Sequence, residues 1–359
     1  MRASLISATI SIATLLAGIA ASEDLLISGG TVWTVSGAVL ADANVLIADG
    51  KIAAVGPDVS APDGARVIDA SGRHVVPGLV DAHSHLGVRV GELDEGVTPA
   101  LTDAWALDAL GADRDALERA MSSGVTTLLL SPGNSSPVAG PCAAVKLGSG
   151  AVLNQTAALK LVLSESAAWW DRDPTSLPGV LNLIRETLDA IDPVRVQIFC
   201  DGASEVERAV QLADQFDLDA AVVAIDLPTQ VAAVLSGTGV SAIIAPLGLT
   251  PEERFLAGAR ELTEAGVKVA FSSMAPSSDP HDLRTSAALA VGAGLSADAA
   301  LRAITLDAAE IIGVADRVGS IETGKDADVA IYSGDPLDLT SAIELVIVDG
   351  DIIYERDAK

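Results

Sequence analysis

Between residues 73 and 317, short apolar runs of strand length alternate with longer helix-patterned segments, and no other feature narrows the choice of fold so far. The strand-like runs fall at 74–81, 126–130, 143–147, 159–163, 195–199, 221–225, 242–245 and 268–271. The helical segments fall at 103–122, 178–191, 205–216, 251–265, 282–293 and 296–312. A strand that returns through a helix must pair in parallel with its predecessor, and a parallel sheet is covered on both faces. The runs are accordingly apolar throughout rather than alternating. Eight strands spread over about 245 residues match the ~250 of a closed (β/α)8 barrel. The rival is a doubly wound open sheet, but the first strand lacks the Gly-rich phosphate turn that usually accompanies it. Half of the chain is hydrophobic and only 3% aromatic, so the core must be built from Ala, Val, Leu and Ile.

The two ends of the chain read alike. Residues 22–72 hold short β runs around Asp49-Gly50, and residues 318–359 hold two more around Asp349-Gly350. An Asp-Gly pair between such runs is a hairpin signal, because its turn needs positive φ. Neither end has enough strands for a stable sheet alone. The expected organisation is therefore one composite β-sandwich, built from 22–72 and 318–359, beside a barrel spanning 73–317.

Residues 1–21 read as a signal peptide: Arg2, an apolar stretch from Leu5 to Ala20, and small residues around Ala21. The stretch falls short of the ~20 apolar residues of a spanning helix. Later apolar runs are short and broken, so no membrane contact is expected after cleavage, and the product would be periplasmic or secreted. An exported compartment permits a disulfide, so Cys142 and Cys200 either pair or remain buried thiols. The net charge of −27 is dispersed, which excludes a phosphate backbone as partner and leaves a small molecule. Self-association is compatible with the pattern.

The chemistry gathers at Pro77-Gly-Leu-Val-Asp-Ala-His-Ser-His. His83 and His85 lie two apart at the end of the first barrel strand, so their side chains share one face. That end of a barrel is the active-site face. Neutral imidazoles there could hold Zn²⁺. His74 stands at the opposite end of the strand and reads as structural.

The motif resembles the amidohydrolase superfamily, near its imidazolonepropionase-like members. The likeness extends through Ser122-Ser-Gly-Val-Thr-Thr, Leu295-Ser-Ala-Asp-Ala-Ala-Leu-Arg-Ala-Ile-Thr and Ala308-Ala-Glu-Ile-Ile-Gly. It ends in Val318-Gly-Ser-Ile-Glu-Thr-Gly-Lys-Asp-Ala-Asp-Val-Ala, the return from barrel to sandwich. The resemblance implies metal-dependent hydrolysis of C–N bonds in amides or cyclic amides. It also implies a ligand set: the first-strand His pair, a Lys or Glu from the middle strands, a His after strand five, a His after strand six, and an Asp after strand eight. His83 and His85 match the pair. Glu165 is the first candidate for the acidic ligand, with Lys160 as a carbamylated alternative and Lys146 a weaker version of it.

The remainder departs from the pattern. Strands five and six carry no His, and Met274 falls where the Asp is expected; the whole chain has four His. Cys200, Asp201, Asp226 and His281 are the available substitutes, since thiolate, carboxylate and imidazole all bind Zn²⁺. The loop from Ser131 to Pro141 follows strand two on the same face and could line the pocket, and Trp169-Trp170 could stack on a ligand or cover the rim. Two functions follow. One is a hydrolase with an incomplete site holding at most one zinc. The other is a non-catalytic descendant that binds a small molecule or partner without turnover.

Overall fold

The computed structural model describes residues 24–111, 113–191, 193, 195–224, 228–248 and 253–357. The expected signal peptide, 1–21, lies outside them. Two eight-stranded sheets are built from the described residues, one from the chain ends and one from the middle.

The end sheet contains β1 (Leu25–Trp33), β2 (Val39–Ala48), β3 (Lys51–Gly56), β4 (Arg66–Asp69) and β5 (His74–Pro77). The middle sheet begins with β6 (Leu79–Ser84) and continues through β7 (Val125–Leu130), β8 (Val138–Lys146), β9 (Val152–Leu163), β10 (Arg195–Cys200), β11 (Asp219–Ala224), β12 (Ser241–Ile244) and β13 (Val269–Phe271). The chain then returns to the end sheet through β14 (Val329–Tyr332), β15 (Ile343–Val348) and β16 (Asp351–Glu355). The end sheet runs β16-β15-β14-β5-β1-β2-β3, with β4 also on β1. Both chain ends thus share one ladder, closed where β5 meets β14. The two Asp-Gly pairs turn as expected, with Asp49, Gly50, Asp349 and Gly350 all at positive φ. The two turns also abut: a Cβ on Gly50 would lie 2.8 Å from the Asp349 carbonyl oxygen. Glycine is required there for space as well as for torsion. Inside this sheet Ile27, Val32, Val45, Ile47, Val329 and Ile347 form an apolar core separate from that of the barrel.

The middle sheet runs in sequence order from β6 to β13 and is nearly closed. Among the described residues no ladder joins β13 to β6. The seam is instead held by side chain and loop: the Asp81 carboxylate accepts from the Ser273 N–H and hydroxyl, and His85 N–H donates to the Ala275 carbonyl. The strand expected at 143–147 is longer and runs the other way, antiparallel to both β7 and β9. No helix separates β7, β8 and β9; loops of a few residues link them, and a short loop permits only antiparallel return. Gly148 and Gly150, both at positive φ, make the second of these turns.

Helices α1 (Arg114–Ser122), α2 (Leu177–Ala190), α3 (Ala203–Phe216), α4 (Pro228–Leu235), α5 (Glu253–Glu264), α6 (Asp282–Gly292), α7 (Ala297–Ala303) and α8 (Leu306–Ile311) carry the remaining connections. The helix expected at 103–122 begins only at Arg114, where the Asp113 carboxylate caps the Ala116 N–H. Ser296 caps α7 as anticipated. The single helix expected over 296–312 is divided because the Ile304 carbonyl accepts from Val80 N–H of β6. Helix α4 was not anticipated. Among the described residues no helix is long and apolar enough to cross a membrane.

Candidate active site

Strand β6 carries Asp81 and His83, and His85 follows directly after its end, two residues on from His83. All three are buried. Facing them are Lys160 of β9 and Gln197 of β10, Cα partners in the ladder and both buried. Polar groups withdrawn from water this far must find partners or lose stability. Most of them do.

The partners fix the chemistry of the imidazoles. The Gln197 amide lies between His83 and the Ala82 carbonyl, 2.9 Å from its Nε2. A carbonyl oxygen only accepts, so the NH2 end must face Ala82 and Oε1 must face His83 Nδ1, at 2.8 Å. Oε1 in turn only accepts, so Nδ1 carries the proton. His85 Nδ1 likewise donates to the Ser131 carbonyl at 2.7 Å. Both rings are therefore Nδ1–H tautomers with a lone pair on Nε2. In His83 that Nε2 is buried and has no hydrogen-bond partner. The two rings stand edge to face, 5.2 Å between centroids.

Charge is scarce in this cavity. Burial, then the Lys160 charge, push the His83 pKa well down and that of His85 to about 3. The imidazoles are thus neutral, the form that binds metals. The Lys160 amine donates to the Pro132 carbonyl at 2.6 Å and lies 5.8 Å from the Phe199 ring centre. Among the described residues no carboxylate pairs with it, and burial pulls its pKa down to about 7. The loop after β7 thus serves the site with two successive carbonyls, Ser131 for His85 and Pro132 for Lys160. Burial holds Asp81 up at about 6, against the hydrogen bonds from Ser273.

The other sequence candidates are distributed differently. Glu165 is exposed, in a single 3-10 turn just beyond β9, and borders a surface groove with Asp201 and Glu205. Cys200 is buried at the end of β10, where burial raises its pKa. His281 is exposed and bonded to Asp279 at 2.8 Å. Asp226 lies outside the described residues. Met274 sits just past β13 with φ of 52°, beside Ser273, which occupies Asp81. Lys146 lies at the opposite end of the barrel, paired with Asp326, Asp328 and Asp349. His74 accepts from the Trp33 indole N–H at 2.9 Å. Cys142 and Cys200 are both free thiols. Trp169 and Arg172 bind the loop carbonyls of Ser135, Ser166 and Gly96, fastening rim loops together, while Trp170 is exposed. Among the described residues no three His, Cys, Asp or Glu side chains are grouped to hold a metal ion.

Sequence reasoning missed Gln197. Its signal is a lone amide in the apolar run Arg195-Val-Gln-Ile-Phe-Cys, at the strand where the resemblance implies a His.

Three kinds of likeness accompany this geometry. The model of the Amidohydrolase family matches residues 229–354. A dihydroorotase of Citrifermentans bemidjiense is 49% identical over 63 residues, 18% of this chain and 15% of that protein's length. The match thus spans about 15% of that curated relative's length. The crystal structure of an amidohydrolase from Thermotoga maritima superposes with a TM-score of 0.83 at 25% identity, covering 92% of this chain and all of that one. An adenosine deaminase from Xanthomonas campestris, solved with bound zinc, shares the fold at a TM-score of 0.51 and 20% identity, with 92% of each chain covered.

Proposed function

Because the chain belongs to the amidohydrolase superfamily, we propose that it is a hydrolase of C–N bonds in an amide or cyclic amide, built around one zinc ion held by His83 and His85. One observation carries this reading: two neutral, buried imidazoles are each locked by a carbonyl acceptor into the tautomer that leaves Nε2 bare. Such carbonyl partners commonly orient metal-ligating histidines. The donor set fits a metal on that ground. A zinc ion bound there would supply Lewis acidity and lower the pKa of a water to about 7.

A catalytic zinc ordinarily has three protein ligands. We take Lys160 as the third donor, because among the described residues its buried amine forms no ion pair with a carboxylate and burial lowers its pKa to about 7. Loss of one proton from the ammonium gives the neutral amine, and addition of CO2 to that amine gives a carbamate and releases a second proton, so that an unpaired cation becomes an anion beside the imidazoles. Glu165, exposed outside the barrel, would need its turn to refold inward. The surrounding residues do the rest of the work. Ser131 and Pro132 hold His85 and Lys160, and Ser273 donates two hydrogen bonds to the Asp81 carboxylate. The apolar N-terminal stretch supports export, and the shared ladder of the chain ends supports the composite sandwich of 22–72 and 318–359 beside the barrel of 73–317, except that β5 (His74–Pro77), expected in the barrel, pairs with the end sheet instead.

The second reading, a non-catalytic binder, draws on Met274. Its thioether cannot take a proton from water as a carboxylate can. Metal analysis with activity measurement separates the two. Purified protein supplied with zinc and bicarbonate should hold about one ion per chain and open a cyclic amide such as a dihydropyrimidine or hydantoin. His83→Ala should lose both properties. Retained zinc without hydrolysis across a broad amide panel would favour the binder. No zinc at all, even in excess, would end the zinc proposal.

A further inference from the structure

We infer that Gln197 is a positioning residue for His83: its amide selects the imidazole tautomer and aims the bare Nε2 into the barrel. The metal-binding arm of this inference rests on the zinc reading above; the tautomer arm does not.

The argument starts from cost. A side-chain amide buried in an apolar strand is unfavourable unless its polar atoms are paired. Between Val196 and Ile198 an apolar residue would pack as well, yet position 197 keeps the amide and directs both of its ends at β6. Nε2 donates to the Ala82 carbonyl, and Oε1 accepts from His83 Nδ1. The first bond removes the rotational ambiguity of the amide. The second therefore works as a filter, because only the Nδ1–H form of His83 can satisfy Oε1. The rejected tautomer would set two lone pairs against each other 2.8 Å apart and point an N–H into the cavity. Gln197 is only 1% exposed, so solvent has little access to replace it as partner. The tether also crosses the barrel from β10 to β6, fixing the ring plane as well as the proton. His85 obtains the same service from the backbone at Ser131, whereas among the described residues the His83 Nδ1 has this side chain alone.

A purely structural strap would also lose stability when cut, so the test reads the proton. Long-range 15N–1H spectra of the metal-free protein report which His83 nitrogen is protonated. Wild type should show Nδ1–H. Gln197→Met keeps volume but removes both hydrogen bonds, and should give a tautomer mixture with a substantial Nε2–H signal. Gln197→Glu should restore Nδ1–H, since a neutral acid can donate to Ala82 and still accept from His83. In chelator competition, zinc affinity should fall about 10–100-fold in Gln197→Met and recover most of that loss in Gln197→Glu. A wild-type spectrum showing Nε2–H would overturn the inference directly, even if the Met variant fails to fold. Unchanged Nδ1–H in Gln197→Met would overturn it too. Wild type that binds no zinc while the spectra behave as described would count against the zinc reading and leave the tautomer selection upheld.

Discussion

Lys160 is the residue whose environment says most about the cavity. Unfolded, its amine would titrate near ~10.4; in the barrel, burial brings it down to about 7. Between these values the unfolded chain binds a proton that the folded chain does not, so stability rises with pH across that window. Below about pH 7 both states are protonated and the penalty of the buried cation is fully present. Metal-free, bicarbonate-free protein should therefore become more stable from pH 7 to pH 9.5, by roughly 3 kcal/mol at most from this group. Lys160→Met removes the titrating amine and should lose that part of the pH dependence, while being more stable than wild type at pH 7. Urea midpoints of both proteins at the two pH values decide it. Parallel pH slopes would mean that the amine remains charged inside the barrel, and carbamate formation there would lose its chemical basis.

At the scale of elements, the reversed strand β8 decides what faces what. Because it runs antiparallel, its last residue, Lys146, emerges at the bottom of the barrel rather than at the mouth. There it meets Asp326 at 2.7 Å, Asp328 at 3.0 Å and Asp349, all from the returning end of the chain. One buried cation thereby ties the barrel to the end sheet. Lys146→Met would leave the buried Asp328 uncompensated, while Asp326 keeps Lys51 and Arg317, a loss of about 3–5 kcal/mol by analogy with other broken buried pairs. Burial already lifts Asp328 to about 6, against the pull of Lys146. Without the lysine, protonation becomes the remaining way to neutralise Asp328. The deficit should therefore shrink as pH falls from 8 to 5, and thermal melts of both proteins at the two pH values measure it. A deficit that grows toward pH 5 would contradict this account.

The same strand shows how far the sequence could be read. Its apolar run marked a strand, but the parallel direction expected for it was wrong, since buried strands carry no polarity in their pattern; the clue lay in Gly148 and Gly150 of a turn too short for a crossover helix. The joining of the two ends was legible because Asp49-Gly50 and Asp349-Gly350 demand positive φ at both central residues. The His pair was legible from its spacing. Gln197 and the burial of Lys160 opposite the His pair were not, because both depend on which side chains oppose β6 across the barrel. That relation is set by ladder register between residues more than a hundred apart, as in His83 with Gln197.

Over the whole molecule the dominant quantity is charge: 49 acidic against 22 basic residues, a net of −27. Even if every basic side chain were paired, more than half of the carboxylates would have no cation. Long-range repulsion must therefore exceed long-range attraction at neutral pH, and it opposes the compact state. Salt screens both, but the excess is repulsive, so screening should stabilise the fold. Exposed pairs such as Lys268–Glu310 will weaken, yet pairs of this kind contribute little. The Lys146 cluster, being buried, is screened much less. Raising NaCl from about 10 mM to about 1 M shortens the screening length from ~30 Å to ~3 Å. The melting temperature should rise by several degrees, most of it below about 0.3 M, where the screening length is already shorter than typical spacings between surface charges. KCl should act alike, since screening depends on ionic strength and not on the cation. Lys146→Met should show the same salt response as wild type from its lower starting point. A flat or falling curve would mean that the acidic side chains are compensated locally, and that the net charge has no bearing on how firmly the barrel and the end sheet hold together.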